Sequence, residues 1–383
     1  MSRTKSQHAR IIVVGAGAAG LATALSLAGR GARVLLLDAG EPGRGALWAS
    51  GGMLAAGFES AVEAGARGAL GHQFSRLSAA AADAWPVWSA RTEALSGLPI
   101  GYQRLGAVTP AFNRSELGKL DRAEAAANQL DVGFERISAR RLGALEPALA
   151  SSLGALVFPG DGQLDNRRLG PALVRAVEAL GGEVRGQAQV SALDIEAGRV
   201  RGVILETGER IAADGVVLAT GAAGRIAGAE AAAPPLRPVK GQMVSLQTPS
   251  GAPQRIVRGF SIYLAAKPDG RVVAGATSEP GREDARADAA AIARLRRAAG
   301  RAAPALRSAR EVERWAGLRP MARDRMPVVG PSGLDGLTLA LGAYRNGVLL
   351  APMLGKAAAA AALGERAPGE TAPFGPDRPG LQG

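Results

Sequence analysis

The chain of 383 residues contains no cysteine. Disulfides, thiolate metal sites, a cysteine nucleophile and a cysteinyl bond to a cofactor are therefore excluded. Histidine is nearly absent: only His8 and His72 occur, so a multi-imidazole metal centre is excluded and no metal is expected. Aromatic residues make up 4% of the chain, which leaves few platforms for stacking single-stranded bases. No apolar run reaches the ~18 uninterrupted residues of a membrane-spanning helix. The N-terminal "MSRTKSQHAR" is basic, but the apolar stretch after it is broken by glycines, unlike a signal peptide, so a cytoplasmic location is expected.

What is present in excess is positive charge, +12 net. The arginines are scattered rather than clustered, and no nucleic-acid partner is expected. Hydrophobic content of 47% and charged content of 21% are those of a globular protein long enough for two domains.

The first 40 residues carry the clearest pattern. "RIIVV" reads as a fully buried strand, "LATALSLA" has helical spacing, and "RVLLLD" is a second buried strand ending at Asp38. Between strand and helix lies G-x-G-x-x-G, formed by Gly15, Gly17 and Gly20, with Asp38 following 18 residues after Gly20. In such a β-α-β unit the first glycine allows the tight turn. The second lets a pyrophosphate approach the backbone, and the third lets helix and strand pack. The helix N-terminus offers free N–H groups to the phosphates. Asp38 suits a ribose diol and disfavours a 2′-phosphate. The motif alone does not choose between FAD and NAD. "DGVVLATG", a late buried strand ending in Ala219, Thr220 and Gly221, and the turn-and-helix start "YRNGVLLAP" both fit a flavoprotein.

Elsewhere, "GEPGRGALWASGGMLAAGFES" is too long and glycine-rich for an ordinary connector. A helix is predicted over 73–96, opened by His72 and interrupted at Pro86. A hairpin is predicted in "AQVSALDIEAGRVRGVILETG", extended segments over 236–276, and an amphipathic helix in "ARADAAAIARLRRAAGRAAP". "GLRPMARDRMPVVG" divides into Arg319 at the end of a buried strand and a locally paired, solvated turn of Arg323, Asp324 and Arg325. The Pro- and Gly-rich residues 365–383 are expected to form a disordered tail.

Taken together, the glycine loop with Asp38, "ASGGMLAAG" (49–57), "ATG" (219–221), "RPVKGQMV" (237–244), "YLAAKPDGRVVAGAT" (263–277), "GLRP" (317–320), "PVVGP" (327–331) and "YRNGVLLAP" (344–352) resemble the D-amino-acid-oxidase-type FAD-dependent oxidoreductases. Within them the chain is most similar to glycine oxidases of the thiamine-biosynthesis type. The resemblance implies an α/β fold: a discontinuous Rossmann-like FAD-binding domain (1–85, 148–230 and 312–364) and an α+β substrate domain with a large antiparallel sheet (86–147 and 231–311). It implies non-covalent FAD, a small amino acid (glycine, sarcosine or a small D-amino acid) and O2 as reactants, and a homo-oligomer. The products would be an imine or glyoxylate-type compound and H2O2. With no histidine base near the motifs, hydride transfer from the α carbon to flavin N5 is the expected chemistry.

The resemblance also assigns residues. Arg319 would receive the substrate carboxylate, as a guanidinium binds it bidentately and keeps its charge. Tyr263 would help, Met53 would form an apolar wall, and Arg345 would retain the carboxylate or the reduced flavin. Ser278 replaces a methionine usual after "GAT", making that part of the pocket smaller and more polar. FAD would be held by Gly15, Gly17, Ala18, Ala19 and Gly20, by Asp38, Ala39 and Arg44, by Ala49, Ser50, Gly51, Gly52 and Met53, and by Val190. Ala219, Thr220 and Gly221, and then Arg345, Asn346, Gly347, Val348 and Leu349, complete that set. Two other functions fit the pattern: a D-amino-acid dehydrogenase passing electrons to a quinone, and a tRNA-modifying oxidase, against which the missing partner domain argues.

Overall fold

The computed structural model of the chain describes residues 9–64, 68–222, 224–247 and 250–381. His8 and the last two residues of the predicted tail lie outside them.

Among the described residues, a six-stranded sheet runs in the order Val328–Pro331, Leu337–Leu341, Gly215–Leu218, Arg10–Val14, Arg33–Leu37, Glu183–Arg185. All neighbours are parallel except the first pair. The inner strands Arg10–Val14, Arg33–Leu37 and Gly215–Leu218 read as largely apolar runs because both faces are covered. Ile11, Val13 and Leu36 pack under helices Ala18–Ala28 and Gly347–Ala362. Ile12, Val14, Leu35 and Leu37 face Val200, Val203 and Ile211 of a three-stranded antiparallel sheet, which contains the predicted hairpin. The two helices approach to backbone contact at Gly355, where a Cβ would lie 2.5 Å from the Ala22 carbonyl carbon. Their N-termini therefore open side by side.

The second body is a nine-stranded, mostly antiparallel sheet. Its longest pairing joins Arg237–Gln247 to Arg310–Met321, with Val239 opposite Arg319 and Gly241 opposite Gly317. Helix Ala289–Ala302 packs against this sheet, its first turn capped by Asp288, which accepts from the Ala291 N–H at 2.8 Å.

Four sequence expectations need correction. Strands Ala155–Phe158 and Arg310–Met321 belong to the large sheet, not with the cofactor-binding segments. Arg319 sits on a half-buried strand whose ladder partner among the described residues is Arg237–Gln247. Helix Gly68–Ser96 begins before His72 and runs unbroken through Pro86. It is held there by Trp85, which is fully buried and donates its indole N–H to the Leu349 carbonyl at 2.9 Å. This tertiary anchoring offsets the hydrogen bond that the proline removes. Finally, residues 365–381 are not disordered: a 3-10 helix spans Gly369–Phe374, and Phe374 and Leu381 are buried. Arg378 reaches Asp324 with two hydrogen bonds of 2.7 and 3.1 Å, so the aspartate of the 323–325 turn pairs with the tail. A few apolar anchors override the Pro/Gly composition.

Candidate active site

A cavity of about 390 Å³ lies between the two helix N-termini and the large sheet. At one end is the glycine loop. Gly15 has φ 103°, and a Cβ there would lie 2.4 Å from the Ala219 oxygen. At Gly20 a Cβ would lie 1.8 Å from the Gly15 oxygen. Gly17 is different: a Cβ would meet nothing within 4 Å, because it would point into the cavity. Gly15 and Gly20 thus serve packing, and Gly17 leaves room for a ligand.

The two helices at the cavity also lack side-chain caps. Structural helices are capped by Asn113, Ser138, Asp165 and Asp288. Gly17 and Asn346 make no such bond. The first helical bonds are Leu21 N–H to Gly17 and Leu350 N–H to Asn346. The N–H groups of Ala18, Ala19 and Gly20, and of Gly347, Val348 and Leu349, are left without helical acceptors. Two positive helix ends opening on one cavity suit a phosphate group and an electron-rich ring edge.

The structure brings together Gly17, Ala18, Ala19, Ala49, Ser50, Gly51, Met53, Ala219, Gly221, Tyr263, Ser278, Arg319, Arg345, Gly347 and Val348 as cavity lining. Ser278 stands exposed at its mouth. Other predicted residues stand behind this lining. Asp38 accepts from Ala16 N–H at 2.6 Å and Gly40 N–H at 2.8 Å, tying the glycine loop to the strand end. Next to it, Ala39 lies in the same bend. Val190 is a core residue, two positions beyond Ala188, whose N–H donates to the Asp38 carbonyl. Gly52 packs against the Leu164 carbonyl. The Thr220 hydroxyl donates to Gly224. Arg44 pairs with Glu41 and stacks over Trp48, 4.4 Å from its ring centre.

Five charged side chains line the cavity: Glu59, Glu63, Arg258, Arg319 and Arg345. Arg258 donates to Glu59 at 2.8 Å and lies over the Phe58 ring. Arg345 donates to Glu63 at 2.6 Å and lies 3.6 Å from Glu59. Burial pushes the Glu59 carboxyl up, but Arg345 and Arg258 outweigh it and hold it below its usual range. Glu59 in turn drives Arg345 further above the arginine range. Arg345 is thus anchored by acids.

Arg319 is the exception. Its guanidinium lies flat on Gly241, where a Cβ would come 2.2 Å from Nη2. It donates to the Thr277 carbonyl at 3.2 Å, and no acidic side chain pairs with it among the described residues. Burial depresses its pKa, but an arginine remains cationic at neutral pH. Beside it, the Tyr263 ring packs between Gly51 and Gly275. Burial raises the phenol's pKa, so its hydroxyl stays protonated and able to donate. Among the described residues, three guanidiniums stand against two carboxylates in the cavity wall.

Sequence reasoning missed Arg258, Glu59, Glu63 and Tyr344. Arg258 was within reach of a hairpin argument, since it faces Tyr263 directly across strands Ile256–Arg258 and Tyr263–Ala266. Lys267 was also missed. It is buried, donates to the Gly51 and Leu164 carbonyls at 2.7 and 2.8 Å, and fixes the loop carrying Gly51 and Met53.

A parallel sheet with an uncapped glycine-loop helix, joined to an antiparallel sheet that carries Arg319 over the same cavity, defines the class of dinucleotide-dependent enzymes. The family described as DAO, FAD dependent oxidoreductase, matches residues 10–361, and the chain belongs to it. Glycine oxidase from Geobacillus kaustophilus is 30% identical over 90% of both chains, and its crystal structure superposes with a TM-score of 0.86 over 96% of this chain and 98% of that one. The bifunctional protein ThiO/ThiG of Trichormus variabilis is 32% identical over 90% of this chain and 51% of its own length, so the chain spans about half of that protein. Iminodiacetate oxidase from Chelativorans sp. BNC1 has a TM-score of 0.83 at 28% identity, covering 96% of this chain and 98% of that one. The open space at Gly17 and the two uncapped helix ends fit the FAD that this family uses. Among the described residues, no helix is long and apolar enough to cross a membrane.

Proposed function

We propose that the chain oxidises a small amino acid, such as glycine, sarcosine or a small D-amino acid, at the bond between Cα and the amine nitrogen. Electrons pass to O2, giving H2O2 and an imine that hydrolyses to a glyoxylate-type product. The observation that carries this reading is Arg319, a permanent cation in the cavity wall with no acidic partner among the described residues. A substrate carboxylate would balance it.

Bound FAD would supply the two-electron acceptor. The N–H groups of Ala18–Gly20 and Gly347–Leu349, the 49–53 loop, the Asp38 end of the glycine unit, Val190 and the 219–221 turn would hold it. Non-covalent binding is part of the proposal: cysteine is absent, and His72 is exposed and away from the cavity.

The side chains divide the remaining work. Arg319 fixes the carboxylate bidentately, and the Tyr263 hydroxyl donates to it, which sets the orientation of Cα. Met53 gives the apolar wall. Glu59 and Glu63 are occupied by arginines, so neither is a free base, and the amine must bind neutral. Arg345, held by Glu63 and Glu59, anchors the turn before helix Gly347–Ala362, leaving Arg319 as the carboxylate receptor.

The test is anaerobic mixing of the FAD-loaded protein with glycine, sarcosine, D-alanine and methylamine. Bleaching of the flavin by an amino acid, weak or absent with methylamine, and peroxide on admitting air, are the expected results. An unchanged spectrum with every amino acid sinks the proposal. A role in thiamine synthesis rests on the resemblance alone and predicts that disrupting the gene creates a thiamine requirement.

A further inference from the structure

Among the described residues Arg319 has one hydrogen-bond acceptor, the Thr277 carbonyl, so whatever orients that carbonyl aims the guanidinium. Thr277 lies between strands Arg271–Gly275 and Glu279–Pro280, in the stretch that walls the cavity. Three bonds hold it. Its N–H donates to the Gln242 carbonyl at 3.3 Å. Its hydroxyl accepts from Gln242 N–H at 3.0 Å and donates to Glu279 Oε1 at 2.6 Å. The Gln242 side-chain amide donates to the same Oε1 at 2.8 Å, and its oxygen accepts from Asp288 N–H, the cap of helix Ala289–Ala302. Gly241 and Met243 line the cavity, so Gln242 between them points to the opposite face of the sheet and is itself buried.

We propose that Glu279 is the positioning residue for the carboxylate receptor, acting from behind the sheet through Thr277. An ionised carboxylate only accepts. It therefore forces the Thr277 hydroxyl to donate outward and to accept from Gln242, which locks the peptide whose carbonyl holds Arg319. The hydrogen bond from Thr277 also keeps the Glu279 carboxyl below its usual range, so the lock is set throughout the neutral pH range. The inference rests on the reading of Arg319 as the carboxylate receptor.

Its test compares the FAD-loaded wild type with Glu279→Ala, Glu279→Gln, Thr277→Val and Arg319→Met. Two readouts are used: steady-state kinetics with the best amino acid, and titration with glycolate followed by perturbation of the flavin spectrum. Glu279→Ala should raise KM and the glycolate Kd about ten-fold, the loss of one well-aligned hydrogen bond, with kcat within about two-fold. Glu279→Gln, which keeps an acceptor oxygen, should restore most of the loss. Thr277→Val should match Glu279→Ala, and the double variant should be no worse than either alone. Glycolate affinity in Glu279→Ala equal to wild type, or additive effects of the two substitutions, overturns the positioning role while leaving Arg319 in place. Glycolate binding that Arg319→Met does not weaken overturns the receptor reading and this inference together.

Discussion

Replacing Arg319 with methionine keeps an unbranched stem and removes its charge and its donor fork. If Arg319 receives the carboxylate, the variant loses two charge-assisted bonds made in a partly desolvated wall. Truncating one member of such a pair costs about 2–5 kcal/mol. At about 1.4 kcal/mol per factor of ten, kcat/KM for the amino acid falls between about 30-fold and about 4,000-fold. Stability should behave in the opposite way to a structural ion pair. Within the chain Arg319 has the Thr277 carbonyl as acceptor and no acid as partner among the described residues. One such bond is worth about 1 kcal/mol net, offset by removing a half-buried cation without a counter-ion. The melting temperature should stay within about 2 °C of wild type. Arg319→Lys, with charge but no fork, should fall between the two in activity. The assay is oxygen uptake against substrate concentration, with FAD content and thermal unfolding measured on the same preparations. Unchanged kcat/KM refutes the reasoning, as does an equal loss for an amine without a carboxylate. A fall of many degrees in melting temperature with normal kinetics would assign Arg319 a structural role instead.

Gly17→Val, at a position with open space in front of it, should weaken FAD binding by roughly 100-fold or more, while the apoprotein loses about 1 kcal/mol at the helix start; flavin titration and denaturation of the apoprotein separate the two. Gly20→Ala, whose Cβ would strike the Gly15 carbonyl, should instead yield little folded protein, seen in soluble expression and circular dichroism. Phe374→Ala should cost about 3–5 kcal/mol in urea unfolding, whereas a cost under about 1 kcal/mol would show the tail to be an appendage. Asp161 accepts from Gly57 N–H at 2.7 Å and Phe58 N–H at 3.4 Å, and burial pushes its carboxyl up to about 7. Between its unfolded value near 4 and about 7 the folded state binds the extra proton, so this group's contribution falls as pH rises through that window, by at most on the order of 4 kcal/mol. Asp161→Asn should flatten that slope in pH-dependent melting, and an identical slope in the variant would remove Asp161 as its cause.

How much of this was legible in the sequence depends on whether a residue's role is local. The glycine loop was readable because its constraints are largely local: Gly15 takes a positive φ, Gly20 cannot carry a Cβ against the Gly15 carbonyl, and Gly17 faces space. The two buried strands were readable because a sheet covered on both faces demands continuous apolar runs. The tail was misread because composition counts Pro and Gly but not the few contacts, Phe374, Leu381 and Arg378 to Asp324, that dock a segment onto an existing core. Glu59 and Arg258 stayed hidden for a different reason. They are 199 residues apart and meet only when the 56–64 segment folds against the large sheet, and nothing in either local stretch marks the pairing.

Arg319 shows where the two kinds of information meet. Its motif singled it out, but a motif cannot say whether an arginine has a partner. Arg258 and Arg345 stand in the same cavity wall, and each faces an acid. If all three arginines were paired, the cavity would be a neutral structural network and would select no anion. If none were, their mutual repulsion would oppose folding at the distances of a single pocket. Among the described residues two carboxylates are set against three guanidiniums, and Arg319 is the one that no acid pairs. The uncapped helix ends follow the same logic: Asn113, Ser138, Asp165 and Asp288 cap helices that support the fold, whereas the two long helices that open on the cavity begin with Gly17 and Asn346 and leave their N–H groups to a ligand. The site is therefore recognisable by what its surroundings leave unsatisfied, a property of the assembled structure that no single segment of the chain contains.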